Sequence, residues 1–513
     1  MEKIRGKRIM KFIDLLIDRI TMYRLLLYYL LALVGAAMLF GTLGWLTYSP
    51  YSILFTSSYF VITCLVINYV FAKVFDAPTN WESSILTALI LSLIITPAAS
   101  FKDITFFTAA AGLAIASKYL LAIRYKHIFN PAAIAVVLTA FGPQESASWW
   151  VGASVLLPIV VVGGLLISRK IRRLGMVLTF IATAILSTLF FVWLSGRDTG
   201  VALQNVILHS SLFFLAFVML TEPWTSPATK GKRIIYALIV GILFAPALHV
   251  GSIYSTPELA LVVGNIFAFL VSPMVKTRLY LKDRHLFGKR TEDIEFTPER
   301  AFNYKPGQYV ELTLPHSSAD SRGLRRYFTL ASSPTEDTIR FGIRYYDPSS
   351  TFKQTLREAD DDLFISAGQL GGDFTMPSDK KLKLAFIAGG IGVTPFRSMV
   401  KYLSDTGDDR SVKMIYSERT VDDVTYSDVF EEARRKVRVD TTYVVNELKS
   451  LPSPHVRPGQ INAELIKTAI PDYLERTFYI SGPQPMVLTI KENLIDLGVP
   501  SSQVKVDYFF GYS

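Results

Sequence analysis

Hydrophobic positions crowd the first half of the chain in long unbroken stretches and, from Lys276 onward, give way to short alternating runs. Up to about Val275 the apolar stretches are roughly 18 to 23 residues long, the length that carries a helix across a hydrocarbon core of about 30 Å. They predict about ten membrane-spanning helices, over roughly 25–47, 52–74, 83–97, 103–123, 130–142, 148–168, 174–195, 203–221, 233–250 and 257–275. The 83–97 and 130–142 stretches are short, and the second opens with Asn130-Pro131, so each predicts a half-helix or a tilted one.

Beyond Arg278 the period changes to two. Runs such as Tyr309 to Leu314 and Ile339 to Tyr345, separated by Gly, Pro and Asp turns, predict a small antiparallel β-barrel. After Pro377 apolar strands (Leu382 to Ala388, Val412 to Tyr416, Arg476 to Ile480) alternate with helical stretches, which predicts a parallel sheet of nucleotide-binding layout. The expected fold class is thus a polytopic α-helical membrane domain over 1–275, an antiparallel β-barrel domain over 276–378 and an α/β parallel-sheet domain over 379–513.

Charge refines this picture. The net charge of +10 accompanies a positive mean hydropathy, and the basic residues gather at the ends of apolar stretches. Anionic lipid and the positive-inside rule account for them, so they are no signal for nucleic acid. With the N-terminus inside, one face receives Lys3, Arg5, Lys7, Arg8, Lys11, Lys73, Arg124, Lys126, Arg169, Lys170, Arg172, Arg173, Lys230, Lys232, Arg233, Lys276 and Arg278. The other keeps Lys102 and Arg197. That asymmetry predicts a multi-pass protein of the cell membrane with both termini cytoplasmic. The basic amphipathic segment Lys3 to Arg24 argues against a removed signal peptide. One cysteine, Cys64, lies in an apolar stretch, too few for an iron–sulfur cluster, a structural zinc or an internal disulfide. No metal site is expected, so an electron carrier would be organic or a histidine-held haem.

The segment Lys383 to Pro395 reads as a buried strand, a glycine turn (Gly389, Gly390, Gly392) and a helix start at Val393, Thr394 and Pro395. Glycines let a backbone close on a pyrophosphate, and the helix N-terminus offers free N–H groups and a positive dipole end. A tight strand-to-helix connection is the plainer alternative. Upstream lies Arg326-Tyr327-Phe328-Thr329, downstream Gly482-Pro483 and Met486, and the chain closes on Asp507-Tyr-Phe509-Phe-Gly-Tyr512-Ser.

In this order and spacing the motifs resemble the ferredoxin–NADP reductase superfamily over about 235 residues. The resemblance implies an FAD-binding barrel at 276–378 and an NAD(P)-binding domain at 379–513. It implies that Arg326 meets the FAD phosphates or ribityl chain, a contact suited to guanidinium. Tyr327 belongs to the same motif, and Phe328 takes the place of the Tyr usually set against the isoalloxazine, a core aromatic being the alternative. Thr329 is expected to offer its hydroxyl towards flavin N5 or O4, and is counted with Phe509 and Tyr512 as a catalytic candidate. Ser350-Thr351-Phe352-Lys353 resembles the second diphosphate contact, a solvated turn being the alternative. Gly482, Pro483 and Met486 should shape the nicotinamide pocket, with Ser481 where many relatives carry Cys. At Tyr416-Ser417-Glu418-Arg419 the family reads the adenosine ribose; Arg419 suits a 2′-phosphate and Glu418 a free 2′-hydroxyl, leaving NADPH and NADH both open.

In the apolar half, His127 to Ala133, Thr87 to Pro97 and Thr221-Glu222-Pro-Trp to Arg233 resemble the membrane proteins of shared fold found in the sodium-translocating NADH:quinone reductase and in the Rnf complex. That likeness implies flavin held among helices, with Asn130, Thr221 and Glu222 as candidate contacts. The family's covalent FMN site, a Thr in an Ser-Gly-Ala-Thr type sequence, has no counterpart, so non-covalent FMN or riboflavin is expected. An interfacial role is the first alternative for Glu222.

The expected activity is NAD(P)H oxidation through FAD, with electrons passed to a membrane flavin and on to a quinone or an extracytoplasmic acceptor. A haem-bearing ferric reductase or NADPH oxidase stands against this, but His127, His209 and His249 are too few and too scattered for two bis-histidine haems. A membrane carrier with a redox-sensing reductase domain is the third reading.

Overall fold

In the computed structural model the described residues are 17, 20–75, 81–123, 126–141, 146–272, 277–301, 303–316, 320, 324–360, 362–446 and 455–509. The chain divides into two compact units, Met1–Val275 and Lys276–Ser513.

The first unit is helical: α1 (Met22–Thr42), α2 (Pro50–Val74), α3 (Trp81–Ile94), α4 (Asp103–Leu120), α5 (Pro131–Phe141), α6 (Leu157–Lys170), α7 (Leu174–Leu194), α8 (Thr199–Leu208), α9 (Leu212–Met219), α10 (Lys230–Leu243) and α11 (Pro257–Val271). Thr21 caps α1 and Ser49 caps α2, whose first turn carries Pro50 where no amide hydrogen is required. Among the described residues only α1, α2 and α7 are long and apolar enough to cross a membrane alone; α8 and α9 together would make a fourth span, bent by 53°. The remaining stretches of the expected ten are thus occupied by shorter or broken helices. Two of the short helices are enclosed. Leu86 to Ile94 of α3 and Pro131 to Val137 of α5 are buried without a break. A helix apolar all round belongs inside a bundle. On α2 and α7, by contrast, Ile62, Val66, Leu186 and Phe190 turn large apolar side chains outward.

The second unit begins with an antiparallel sheet: β1 (Thr277–Phe287), β2 (Thr291–Pro298), β3 (Tyr309–Thr313), β4 (Arg325–Thr329), β5 (Ile339–Arg344) and β6 (Phe364–Gly371), in the order β4-β3-β6-β1-β2-β5. Helix α12 (Thr351–Glu358) plugs its core, with Phe352 and Leu356 fully buried against Leu279, Phe296 and Phe341. The end strands β4 and β5 share no ladder; just past β4, the Ala331 N–H donates to the Arg340 carbonyl at 2.9 Å.

A parallel sheet follows, from β7 (Leu384–Gly389), α13 (Thr394–Thr406), β8 (Val412–Glu418), α14 (Ser427–Lys436), β9 (Val439–Val445), β10 (Val456–Pro458), α15 (Ala463–Ala469), β11 (Thr477–Pro483), α16 (Gln484–Asp496) and β12 (Val504–Phe509). Its order is β10-β9-β8-β7-β11-β12, every pair parallel. Both faces are covered, so β7 is apolar at every position: Phe386 packs with Phe396, Tyr416 and Tyr479 on one side, and Ile387 with Ile415, Ile480 and Ile490 on the other. The strand order reverses between β7 and β11, which opens a crevice beyond their carboxyl ends.

Polar bonds tie the two sheets into one unit. Arg397 reaches from α13 to the Ala331 carbonyl (3.1 Å) and Glu336 (2.8 Å), and Tyr426 donates to Asp293 at 2.7 Å. Gly342 on β5 makes room for this junction, since a Cβ there would lie 2.7 Å from both Thr394 and Tyr426.

Candidate functional site

Two turns meet in the crevice. Gly390 takes φ +56°, a conformation open to glycine, and a Cβ on Gly392 would sit 2.5 Å from the Gly482 backbone. The backbones of the two turns therefore touch with no side chain between them. Met486 packs its sulfur on Gly389, while Val393, Thr394 and Pro395 are buried, so the first turn of α13 offers backbone and not side chains to the crevice. Ser481, last buried side chain of β11 before the turn, has a hydroxyl with no hydrogen-bond partner among the described residues. Pro483 is exposed, and its ladder partner is Phe509, which brings the backbone of β12 to the same edge. Tyr512 and the Phe509 side chain lie outside the described residues.

Ser417, Glu418 and Arg419 end the neighbouring strand β8. Ser417 is half-buried and Arg419 exposed. Glu418 is buried, and Arg344 of β5 pairs with it at 3.0 Å. Burial raises the Glu418 carboxyl above the ordinary glutamate range, and the Arg344 guanidinium opposes that rise.

On the antiparallel sheet, Arg326 is held by Asp320 (2.9 Å) with its guanidinium 5.5 Å over the Phe352 ring. Thr351, at the start of α12, accepts from the Asp320 N–H (3.0 Å) and bonds His316 Nε2 (3.1 Å). Arg326 and the amino end of α12 are therefore brought together through Asp320, a cationic and a dipolar donor side by side. His316 and Asp320 were not legible in the motif, because the loop carrying them has no regular pattern.

The other sequence candidates on this sheet are divided between its core and its surface. Phe352 is a core residue with no exposed surface. Phe328 is half-buried, its ring 6.2 Å from Phe341 and 5.7 Å from Phe352. Tyr327 points the other way, 49% exposed, its hydroxyl on Gln369. Ser350 caps α12 by accepting from the Lys353 N–H, and the Lys353 ammonium donates to the Arg344 carbonyl at 2.6 Å. Thr329 is buried opposite Tyr309.

In the helical unit Asn130 and Glu222 do meet. Asn130 caps α5, its side-chain oxygen accepting from Ala133 N, and donates to Glu222 Oε2 at 2.8 Å. Thr225 donates to the same oxygen (3.0 Å), and His127 Nε2 lies 3.5 Å from the other. Asn265, midway along α11, accepts from Asn130 N and donates to the Thr225 carbonyl and the Tyr236 hydroxyl. Thr221 follows the π-helical turn Leu215–Met219; its hydroxyl folds back on the Phe217 carbonyl (2.6 Å), and Arg173 takes its own carbonyl at 3.0 Å. Glu222 is thus a half-buried junction between broken helices. Asn265 was missed, though a lone amide in an apolar stretch was its signal. Among the described residues no group of three His, Cys, Asp or Glu could hold a metal ion.

Comparison with known proteins divides the chain in the same two parts. Residues 386–492 match the oxidoreductase NAD-binding domain, which takes in the glycine turn, Ser417, Arg419 and Gly482 to Met486. Residues 141–280 match the NQR2, RnfD, RnfE family, which takes in Thr221 and Glu222 and leaves Asn130 outside. The stachydrine N-demethylase reductase subunit Stc4 of Rhizobium meliloti is 31% identical over 40% of this chain and 59% of its own. The reductase component of propane 2-monooxygenase from Rhodococcus jostii is 30% identical over 40% of this chain and 56% of its own. The chain therefore spans under three fifths of the length of these curated relatives. Among solved structures, the Amycolatopsis cytochrome P450 reductase GcoB covers 47% of the chain at 19% identity and a TM-score of 0.42.

Proposed function

From a chain that joins an NAD-binding, ferredoxin-reductase-like module to a domain of the NQR2, RnfD, RnfE family, we propose a membrane-bound, FAD-dependent NAD(P)H oxidoreductase. The observation that carries this reading is the crevice where the Gly389–Gly392 turn and the Gly482 turn touch, with the Ser481 hydroxyl unpartnered beside them. A pyrophosphate needs backbone approach and a helix N-terminus, and both are there. In this reading the nicotinamide end lies against Gly482, Pro483 and Met486, and Ser481 gains the partner it lacks.

The FAD site is assigned to 276–378, where Arg326 and the first turn of α12 supply donors for the diphosphate. Bound there, FAD exchanges the two electrons of a nicotinamide for single electrons. The residues of this chain orient and exclude. Asp320 aims Arg326, the core ring of Phe352 supports its guanidinium, and Phe328 closes the apolar side. Thr329, Phe509 and Tyr512 are proposed beside the isoalloxazine.

The finer parts of the proposal are a non-covalent FMN or riboflavin in the helical unit, a quinone or extracytoplasmic acceptor, and about ten spans with both termini cytoplasmic. Family likeness and the charge asymmetry support them. Asn130, Thr221 and Glu222 do not fit a flavin as they stand, because their polar groups bond one another and the helix backbone. No electron step is drawn through them.

Protein purified in detergent should bleach in visible absorbance on adding a reduced pyridine nucleotide, and acid release should yield FAD. Two flavins per chain would support the path into the membrane, and one would confine redox chemistry to the reductase module. A preparation with no flavin absorbance and no NAD(P)H oxidation ends the proposal, and a Soret band would replace flavin with haem.

A further inference from the structure

The end of β8 holds one acidic and one basic candidate for the adenosine ribose, and the structure separates them. In open α/β sheets with a glycine turn after the first strand, an acidic side chain at the end of the adjacent strand bonds the ribose 2′-hydroxyl, whereas an arginine there accommodates a 2′-phosphate. Here the acidic candidate is committed elsewhere. Glu418 is 5% exposed and turned inward: Arg344 Nη1 reaches its two oxygens at 3.0 and 3.2 Å, and the Tyr416 hydroxyl lies 3.3 Å from one of them. Tyr416 is itself fixed by Thr425 at 3.0 Å. Freeing the carboxylate would take its ion-pair partner from half-buried Arg344 and break the bond to Tyr416.

The neighbouring acid is also engaged. Asp423, in the turn that follows, accepts from Thr420 at 2.8 Å. Arg419, one residue beyond Glu418, is exposed at the strand end, and half-buried Ser417 stands on the other side with a hydroxyl to offer.

We infer that the nucleotide site of this chain selects a 2′-phosphorylated adenosine, and hence NADPH over NADH, with Arg419 as the specificity-determining residue and Arg344 as the residue that withholds Glu418 from the ribose. The inference rests on the reductase reading above and specifies its substrate. A guanidinium meets a phosphate through two parallel N–H bonds, a geometry that a free hydroxyl cannot return. Arg344 acts through Glu418 and is a positioning residue.

The test is calorimetric binding of two adenylates to the full chain in detergent, 2′,5′-ADP and 5′-AMP, followed by kcat/KM for NADPH and NADH with ferricyanide as acceptor. The binding measurement needs no electron transfer. Expected is a preference for 2′,5′-ADP and for NADPH of about tenfold or more, the scale of one charge-assisted contact. Arg419→Ala should collapse that ratio in both measurements. Arg344→Gln should move it towards 5′-AMP and NADH by releasing Glu418, and the double variant Arg344→Gln/Glu418→Gln should cancel that movement. Equal or tighter binding of 5′-AMP by the unaltered chain, or a ratio untouched by Arg419→Ala, overturns the inference while NAD(P)H oxidation stands. Oxidation of neither nucleotide by flavin-loaded protein would overturn the reductase reading, and the specificity with it.

Discussion

At single positions the crevice makes two sharp demands. A methyl group at Gly392 would have to enter the space of the Gly482 backbone, which cannot give as a side-chain end can. Gly392→Ala should therefore destabilise the reductase unit by roughly 1–3 kcal/mol, as overpacking does, and raise the KM for NAD(P)H; a thermal melt and steady-state kinetics check both. Ser481→Ala should act in opposite directions on the two states. The hydroxyl is buried and unpartnered, so its loss should raise the melting temperature of the nucleotide-free protein, by up to about 1 kcal/mol equivalent. The same change should weaken nucleotide binding. An unchanged dissociation constant would place Ser481 away from the nucleotide. The glycines of the motifs stand where backbone geometry requires them, whereas Phe352 is a core ring and not a surface contact. A motif names the segment but not which way each side chain turns, and α12 buries Phe352 while spending no side chain but Ser350 on its own cap.

At the scale of elements, the broken helices of the first unit carry the clearest consequence. Asn130 both caps α5 and satisfies Glu222. Asn130→Ala removes the cap, worth about 0.5–2 kcal/mol, and takes a partner from a carboxylate inside the helical unit. The helical unit should lose thermal stability in detergent by more than a cap alone accounts for, and Glu222→Gln should restore part of it when combined with Asn130→Ala. Non-additivity in that double-mutant cycle is the measurement, and strict additivity would mean the two residues are not coupled. Short apolar stretches at 83–97 and 130–142 were legible as half-helices or tilted ones from length and from Asn130-Pro131. The π turn before Thr221 was not, because its residues are as apolar as those of a straight span; the bend between α8 and α9 falls on the polar residues His209, Ser210 and Ser211, a signal that was missed.

At the scale of the molecule, the reductase unit is joined by ion pairs with a definite pH dependence. Asp472 receives both Arg476 (2.6 and 2.9 Å) and Lys383 (3.1 Å), which lie across β11 and β7. The hydrogen bond from Arg476, against some desolvation, holds its carboxyl down to about 2, below the ordinary aspartate value of 3.8. A depressed folded-state pKa contributes stability that is complete above the unfolded value and is lost as pH falls through the window from about 4 to about 2. Melting temperature should therefore fall as pH is lowered through that window. Asp472→Asn should flatten the fall and lower the plateau near neutral pH, and two parallel curves would show that another group controls it.

What the sequence by itself determined about this protein is whatever rides on periodicity and on backbone-limited residues. The stretch lengths separated an apolar helical half from a strand-rich half, the two-residue period marked the sheets, and the glycine turns marked the crevice, since hydrophobic spacing and the absence of a Cβ are local properties of the chain. Only the tertiary structure decided which polar side chains are buried in pairs and which stand at the surface. Glu418 and Arg419 are equal candidates in sequence, and Arg344, 74 residues before Glu418, separates them by burying one in an ion pair. Asn130 and Glu222, 92 residues apart, become partners only because the start of α5 lies beside the loop that follows α9. Pairing across such distances depends on where elements pack, and no local pattern encodes it.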